Sequence, residues 1–222
     1  MAIGPRRVIR GLYRLFDPMT LTPEIIHEYD DQAVDSEATE TATFGLGCFW
    51  GPDARFGAMD GVVRTRVGYA GGTKTNPSYH SLGDHTEVFQ VEFDPTIVTY
   101  RELVEEAFRQ HNPRARVGKT QYQNVVFAAT ADQRTALDDF LTDTGQTVDG
   151  IETRVEQLSR FYVSEDYHQK HKLRSASSFM NAFEDAGYSD EEIRESPIAA
   201  KLNGYVAGYD VDIAEELTAH GQ

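Results

Sequence analysis

The sequence predicts an α+β sandwich, a single mixed sheet with helices packed on it. Three features lead there. Apolar residues recur with period two in several short segments and with a period near 3.6 in others. The two kinds of segment interleave, with gaps short enough for hairpins. A chain of 222 residues, 40% of them hydrophobic, can bury one good core but would leave two separate domains small.

Thr41 to Leu46 reads as the first strand, and Gly47-Cys48-Phe49-Trp50-Gly51-Pro52 turns from it into a helix. Val62 to Tyr69 alternates as a second strand, which Gly71-Gly72 breaks. Residues 72–85 form a polar loop, and Thr86 to Phe93 is a third strand closed by Asp94-Pro95. Thr99-Tyr100-Arg101-Glu102 is a capping box that opens a helix with Leu103, Val104, Ala107 and Phe108 on one side. Asn124 to Ala129 is the fourth strand, and Thr130 to Gln133 caps a helix ending near Gly145. A fifth strand lies around Glu152 to Leu158. The last third reads as helical, from Ser164 to about Ala186 and again from the Ser189-Asp190-Glu191-Glu192 box.

Residues 1–40 are expected to be an N-terminal extension, residues 41–204 the functional domain and residues 205–222 a tail. The extension begins as a basic arm with Arg6, Arg7, Arg10 and Arg14, whose apolar side (Val8, Ile9, Leu12, Tyr13, Leu15, Phe16) is expected to pack on the body. A short helix is expected at Thr22-Pro23-Glu24, with Thr as N-cap and Pro at its first position. From Glu24 to Glu40 there are seven acids and no Lys or Arg, the pattern of a solvated linker.

The formal charge is −15, from 36 Asp and Glu against 21 Lys and Arg. Such a surface repels nucleic acid and anionic membrane. The cations are 16 Arg and 5 Lys, a Lys-poor acidic balance that fits a salt-rich cytoplasm or an ordinary acidic protein. A single Cys excludes an internal disulfide framework. No apolar run reaches the length of a membrane-spanning helix, and no apolar core follows the N-terminal arginines as in a secretory signal. The expected location is the cytoplasm.

Cys48 follows a strand and stands where a helix begins, so unpaired N–H groups and the helix dipole are expected to favour its thiolate. Gly45, Gly47 and Gly51 keep the nearby backbone bare, and Phe49 and Trp50 set two large rings beside the thiol. Aromatic faces suit an uncharged S-methyl group; packing into the core would explain each ring as well. Glu87 shares its strand parity with Phe89, Val91 and Phe93. If it points inward, burial raises its pKa and makes it a proton donor near neutral pH; an edge position in solvent is the alternative. Tyr79 and Tyr122 flank that strand in sequence and offer phenols that bond an oxygen without carrying charge.

The run Gly47-Cys48-Phe49-Trp50-Gly51 resembles the signature of the A-type peptide-methionine sulfoxide reductases, which act on the S epimer. The likeness continues through Val67-Gly68-Tyr69-Ala70-Gly71-Gly72, Asn76-Pro77-Ser78-Tyr79, His85-Thr86-Glu87, Thr120-Gln121-Tyr122 and Glu165-Asp166-Tyr167-His168-Gln169, in order across residues 41 to 170. The resemblance implies a ferredoxin-like two-layer plait with long loops. It implies Cys48 as nucleophile, Glu87 as acid, Tyr79 and Tyr122 as phenols that hold the sulfoxide oxygen, and Phe49 and Trp50 as the substrate's methyl pocket. Tyr167 and His168 are expected either to line the pocket or to pack on a helix face. The sequence departs from the family at Val117, where an Asp is usual, and in a shorter loop between Tyr79 and Glu87.

The implied scheme needs no cofactor and no metal. Thiolate attack releases methionine and leaves a sulfenic acid on Cys48. With no second Cys, an external thiol, thioredoxin or a small one, must reduce it. Two rival readings remain at this point. One is a non-catalytic module that recognises methionine sulfoxide. The other is a metal-dependent hydrolase built from His80, Asp84, His85 and Glu87, with His168 and His171 at helical spacing, although no known zinc spacing is present.

Overall fold

The computed structural model describes residues 21–211; the basic arm of residues 1–20 and the end of the tail lie outside the described residues. The chain runs α1 (Pro23–Asp31), β1 (Glu40–Leu46), α2 (Trp50–Gly57), β2 (Val62–Ala70), β3 (Thr86–Phe93), α3 (Tyr100–Arg109), β4 (Asn124–Ala128), α4 (Ala131–Asp143), β5 (Arg154–Gln157), β6 (Phe161–Val163), α5 (His171–Arg174), α6 (Ser177–Asp185), α7 (Asp190–Glu195) and α8 (Pro197–Val206). The starts of the helices follow local chemistry. Thr22 caps α1 with Pro23 at its first position, Thr130 caps α4, and Thr99 with Glu102 and Ser189 with Glu192 form reciprocal capping boxes.

The six strands form one sheet in the order β5-β4-β1-β3-β2-β6. Every neighbouring pair is antiparallel except β4 and β5. The core of the sheet layer joins Phe44, Phe89, Val91 and Phe93 of the strands to Phe56 of α2, Leu103 and Val104 of α3 and Leu137 and Phe140 of α4. A second apolar cluster unites α1 with α5 through α8: Ile26 and Tyr29 meet Leu173, Phe179, Phe183, Ile193, Ile198 and Leu202. The architecture is α+β, with a mixed sheet and packed helices, as the alternation of periods predicts.

Two expectations are corrected. Residues 24–31, read as part of a solvated linker, are a helix whose Ile26 and Tyr29 lie buried in the second cluster. Spacing of three to four residues selects these two apolar positions among the acids, and α6 and α8 supply the surface that covers them. The helix expected from Ser164 to Ala186 is broken instead into a 3-10 turn at Asp166–His168, α5 and α6. Gln169 is the cause. Its buried amide accepts from Val67 N (3.0 Å) and donates to Val67 O (2.8 Å), pinning this stretch against β2 like a strand. Lys170 then adopts φ 51°, outside any right-handed helix.

Candidate active site

The site lies where β1 hands over to α2. Gly47 takes φ 76°, a left-handed conformation that turns the chain, and Cys48 follows it, open to solvent. Gly45 sits so close between its neighbours that a Cβ would meet Val125 Cγ1 at 2.8 Å and Glu87 O at 3.1 Å. The strand carrying Glu87 therefore runs hard against the strand leading to Cys48. Antiparallel pairing of β1 with β3 brings Glu87 to this end of the sheet.

Glu87 is 1% exposed, facing inward as its parity predicts. One carboxyl oxygen accepts from Phe49 N (3.3 Å) and the other from Gln121 Nε2 (2.6 Å). Burial pushes its pKa up, outweighing those two bonds. Cys48 and Glu87 are thus joined through one peptide, whose N–H belongs to the residue after the cysteine. The Trp50 N–H is directed at the Cys48 sulfur, yet partial loss of water to the neighbouring side chains pushes the thiol up although the residue itself is exposed, and the charge of Glu87 adds to the rise. This corrects the expectation of a lowered thiol. α2 is a helix of eight residues with no side-chain cap, and its end does not offset the water removed by the surrounding side chains.

Tyr79 and Tyr122 come together as a hydrogen-bonded pair of phenols. The Tyr122 phenol is pushed up to about 12, by loss of water first, then by the bond to Tyr79 and the charges of Glu87 and Cys48. The Tyr122 phenol therefore stays protonated at neutral pH. Lys119 lies 4.7 Å from the centre of the Tyr122 ring. Tyr79 is held by its backbone N–H, which donates to Glu165 Oε1 (2.9 Å), while Tyr69 OH donates to Glu165 Oε2 (2.7 Å).

Phe49 is buried at 1% exposure and belongs to the sheet core, its ring edge-on to His168 at 5.1 Å. Trp50 is half-buried and held on two sides. Its indole N–H donates to His168 Nδ1 (3.2 Å), which places the His168 proton on Nε2. Its face stacks on His171 at 3.6 Å between ring centres. Burial lowers the pKa of both histidines, so both are neutral at pH 7. His168 also packs against Tyr79 (4.7 Å) and Tyr167 (4.2 Å).

The side chains considered for a metal point apart. Asp84 accepts from Thr73 N and Thr73 Oγ1 (2.9 Å each), and His85 accepts from Gly72 N (3.2 Å) and donates to Lys74 O (2.7 Å). They close the base of the 72–85 loop that presents Tyr79. Among the described residues no group of three or more His, Cys, Asp or Glu stands where it would hold a metal ion. The Val117 carbonyl accepts from Gln123 Nε2 (3.2 Å).

Residues 40–196 match the family model described as peptide methionine sulfoxide reductase. The chain belongs to that family. Residues 187–213 match a second model, the helical domain of selenoprotein methionine sulfoxide reductase A. The A5 peptide methionine sulfoxide reductase of Arabidopsis thaliana is 37% identical over 204 residues, 85% of this chain and 77% of that one. The Drosophila melanogaster enzyme is 35% identical over 171 residues, covering 76% and 68% of the two chains. Among solved structures, methionine sulfoxide reductase A of Corynebacterium diphtheriae superposes with a TM-score of 0.53 at 33% identity, over 63% of this chain and 76% of that one. Reduced Mxr1 from Saccharomyces cerevisiae gives 0.54 at 28% identity, over 64% and 88%.

Three residues of the site take roles not assigned to them from the sequence: there Gln121 and Glu165 stood only within the family blocks, and His171 only as a metal candidate. Gln121 bonds the acid, Glu165 anchors Tyr79, and His171 backs Trp50. Each acts across strand or helix contacts, so no periodicity marks it.

Proposed function

We propose that the chain reduces methionine-S-sulfoxide, free or within proteins, with Cys48 as nucleophile and Glu87 as acid. The observation that carries the reading is the shared peptide: the buried acid is bonded to the N–H of the residue next to the exposed thiol. The Cys48 sulfur attacks the sulfoxide sulfur as Glu87 protonates the oxygen, with the thiol proton or bulk water restoring the acid. Collapse releases methionine and leaves the oxygen on Cys48 as a sulfenic acid. One external thiol then displaces water to give a mixed disulfide, and a second releases Cys48 with a disulfide as product. Tyr79 and Tyr122 hold the oxide as it gains charge, the Tyr122 phenol in its protonated form. Phe49 and Trp50 take the methyl group, whose lack of charge suits their faces.

The external reductant is thioredoxin or a small thiol, because the chain has a single cysteine. An unpaired, exposed thiol suits a reducing compartment, which supports the cytoplasm; among the described residues no helix is long and apolar enough to cross a membrane. The interleaving of β1-α2-β2 with β3-α3-β4, giving the central order β4-β1-β3-β2, supports a ferredoxin-like plait.

A single-turnover assay tests the reading. Without reductant, the protein should release one equivalent of methionine and gain one oxygen at Cys48 by mass, and Cys48→Ser should release none. Binding of the sulfoxide without release would favour a non-catalytic reader.

A further inference from the structure

Lys170 is a wholly buried cation that the reaction scheme does not use. It holds φ 51°, the left-handed region that a long side chain occupies only where its surroundings over-determine it. They do so here. Its backbone N–H is directed at the Asp53 carboxylate, and its ammonium donates to Thr65 O and Arg194 O (3.0 Å). Because the chain reverses at Lys170, His168, two residues before it, and His171, the next residue, both reach Trp50: one bonds the indole edge and the other covers a face.

Asp53 stands in α2, one turn beyond Cys48, and is 1% exposed. Its carboxylate accepts from Thr65 Oγ1 (2.6 Å) of β2 and Asn203 Nδ2 (2.8 Å) of α8. Asn203, also fully buried, turns its amide oxygen to Leu173 N (3.0 Å) of α5. One carboxylate therefore collects the nucleophile's helix, the sheet, the left-handed turn and the C-terminal helices. The opposite charges of Lys170 and Asp53 favour each other, and both side chains are buried.

We propose that Lys170 and Asp53 are positioning residues for the methyl pocket, through which the C-terminal helices hold Trp50 between His168 and His171. This rests on the reading of Trp50 as the pocket wall. The consequence is that the helical unit is part of how substrate is recognised, although none of α6, α7 or α8 lines the site.

Trp50 is the only tryptophan in the chain, so its emission reports this pocket directly. The test is the full-length double variant Asp53→Asn/Lys170→Met, which removes both charges and keeps the side-chain volumes, avoiding an uncompensated buried ion. With folding checked by circular dichroism and a cooperative melt, its Trp50 emission should shift to the red. Its KM for methionine sulfoxide, with dithiothreitol as reductant, should rise about tenfold while kcat stays within about threefold. Asn203→Ala, which removes one donor and no charge, should move emission and KM the same way by less. Leu137→Ala in α4 serves as the comparison, lowering the melting temperature without moving emission. Unchanged emission and KM in a folded double variant, or in a folded Asn203→Ala, would overturn the inference. The two ideas fail separately: emission responds whether or not the wild-type protein turns over, and absence of turnover in the wild type refutes the reductase reading alone.

Discussion

Cys48 and Glu87 are set against each other in a way that one substitution can read. Partial loss of water holds the thiol up, and the Glu87 charge adds to that. Burial likewise holds the Glu87 carboxyl up. Loss of water thus disfavours the charged form of each group. Alkylation of Cys48 by iodoacetamide should rise with pH to a midpoint above that of an ordinary cysteine. Glu87→Gln removes the negative neighbour, so the midpoint should fall and alkylation at neutral pH should quicken. Sulfoxide reduction by the same variant should slow by about 10²-fold or more, the range for a lost general acid. A variant that slowed both reactions, or neither, would count against the assignment of Glu87.

At the scale of elements, the seam between α2 and α8 decides how closely the helical unit approaches the site. Both helices present small residues there. A Cβ on Gly57 would lie 2.5 Å from Ala200 O, and one on Gly204 would lie 2.6 Å from Ala58 Cβ and 2.8 Å from Ala54 O. The atoms in the way belong to backbone or to alanine, and neither can swing aside. Gly204→Ala should therefore force the helices apart and destabilise the protein by about 1–3 kcal/mol, the usual cost of overpacking. Urea titration checks it; a stability change under a few tenths of a kcal/mol would show the seam to be loose. The same contact explains why Asn203, the residue before Gly204, can reach Asp53 in α2.

For the whole molecule, the helical unit is also tied to the sheet by charge. Glu195 of α7 meets Arg66 of β2 and Arg194, with Nε–Oε distances of 2.7 Å to each. Burial works against the Glu195 carboxylate, yet the two arginines hold its pKa at about 2 against an ordinary 4.5. The unfolded chain takes up this proton near 4.5 and the folded one only near 2. The stabilisation is therefore complete above pH 4.5 and is lost as the pH falls toward 2. The melting temperature should drop through that window, and Glu195→Gln should flatten the drop while lowering stability at neutral pH. An acid limb of the same steepness in the variant would mean that other carboxylates carry it.

From the amino-acid order alone came the five longer strands, the capped helices of the sheet layer and the inward parity of Glu87. These depend on neighbours within a few residues: period-two alternation, Thr and Ser caps, and glycines at the β1 turn. The motif around Cys48 was equally readable, since the cysteine and the two rings are adjacent in sequence. Folding in three dimensions settled what depends on distant partners. Phe161–Val163 is too short to show a period and becomes β6 only because β2 leaves an edge beside it. The break at Lys170 exists because Gln169 finds the backbone of Val67, about a hundred residues earlier in the chain. The thiol of Cys48 rises rather than falls because loss of water depends on which side chains gather around it, a quantity with no value until the elements have packed.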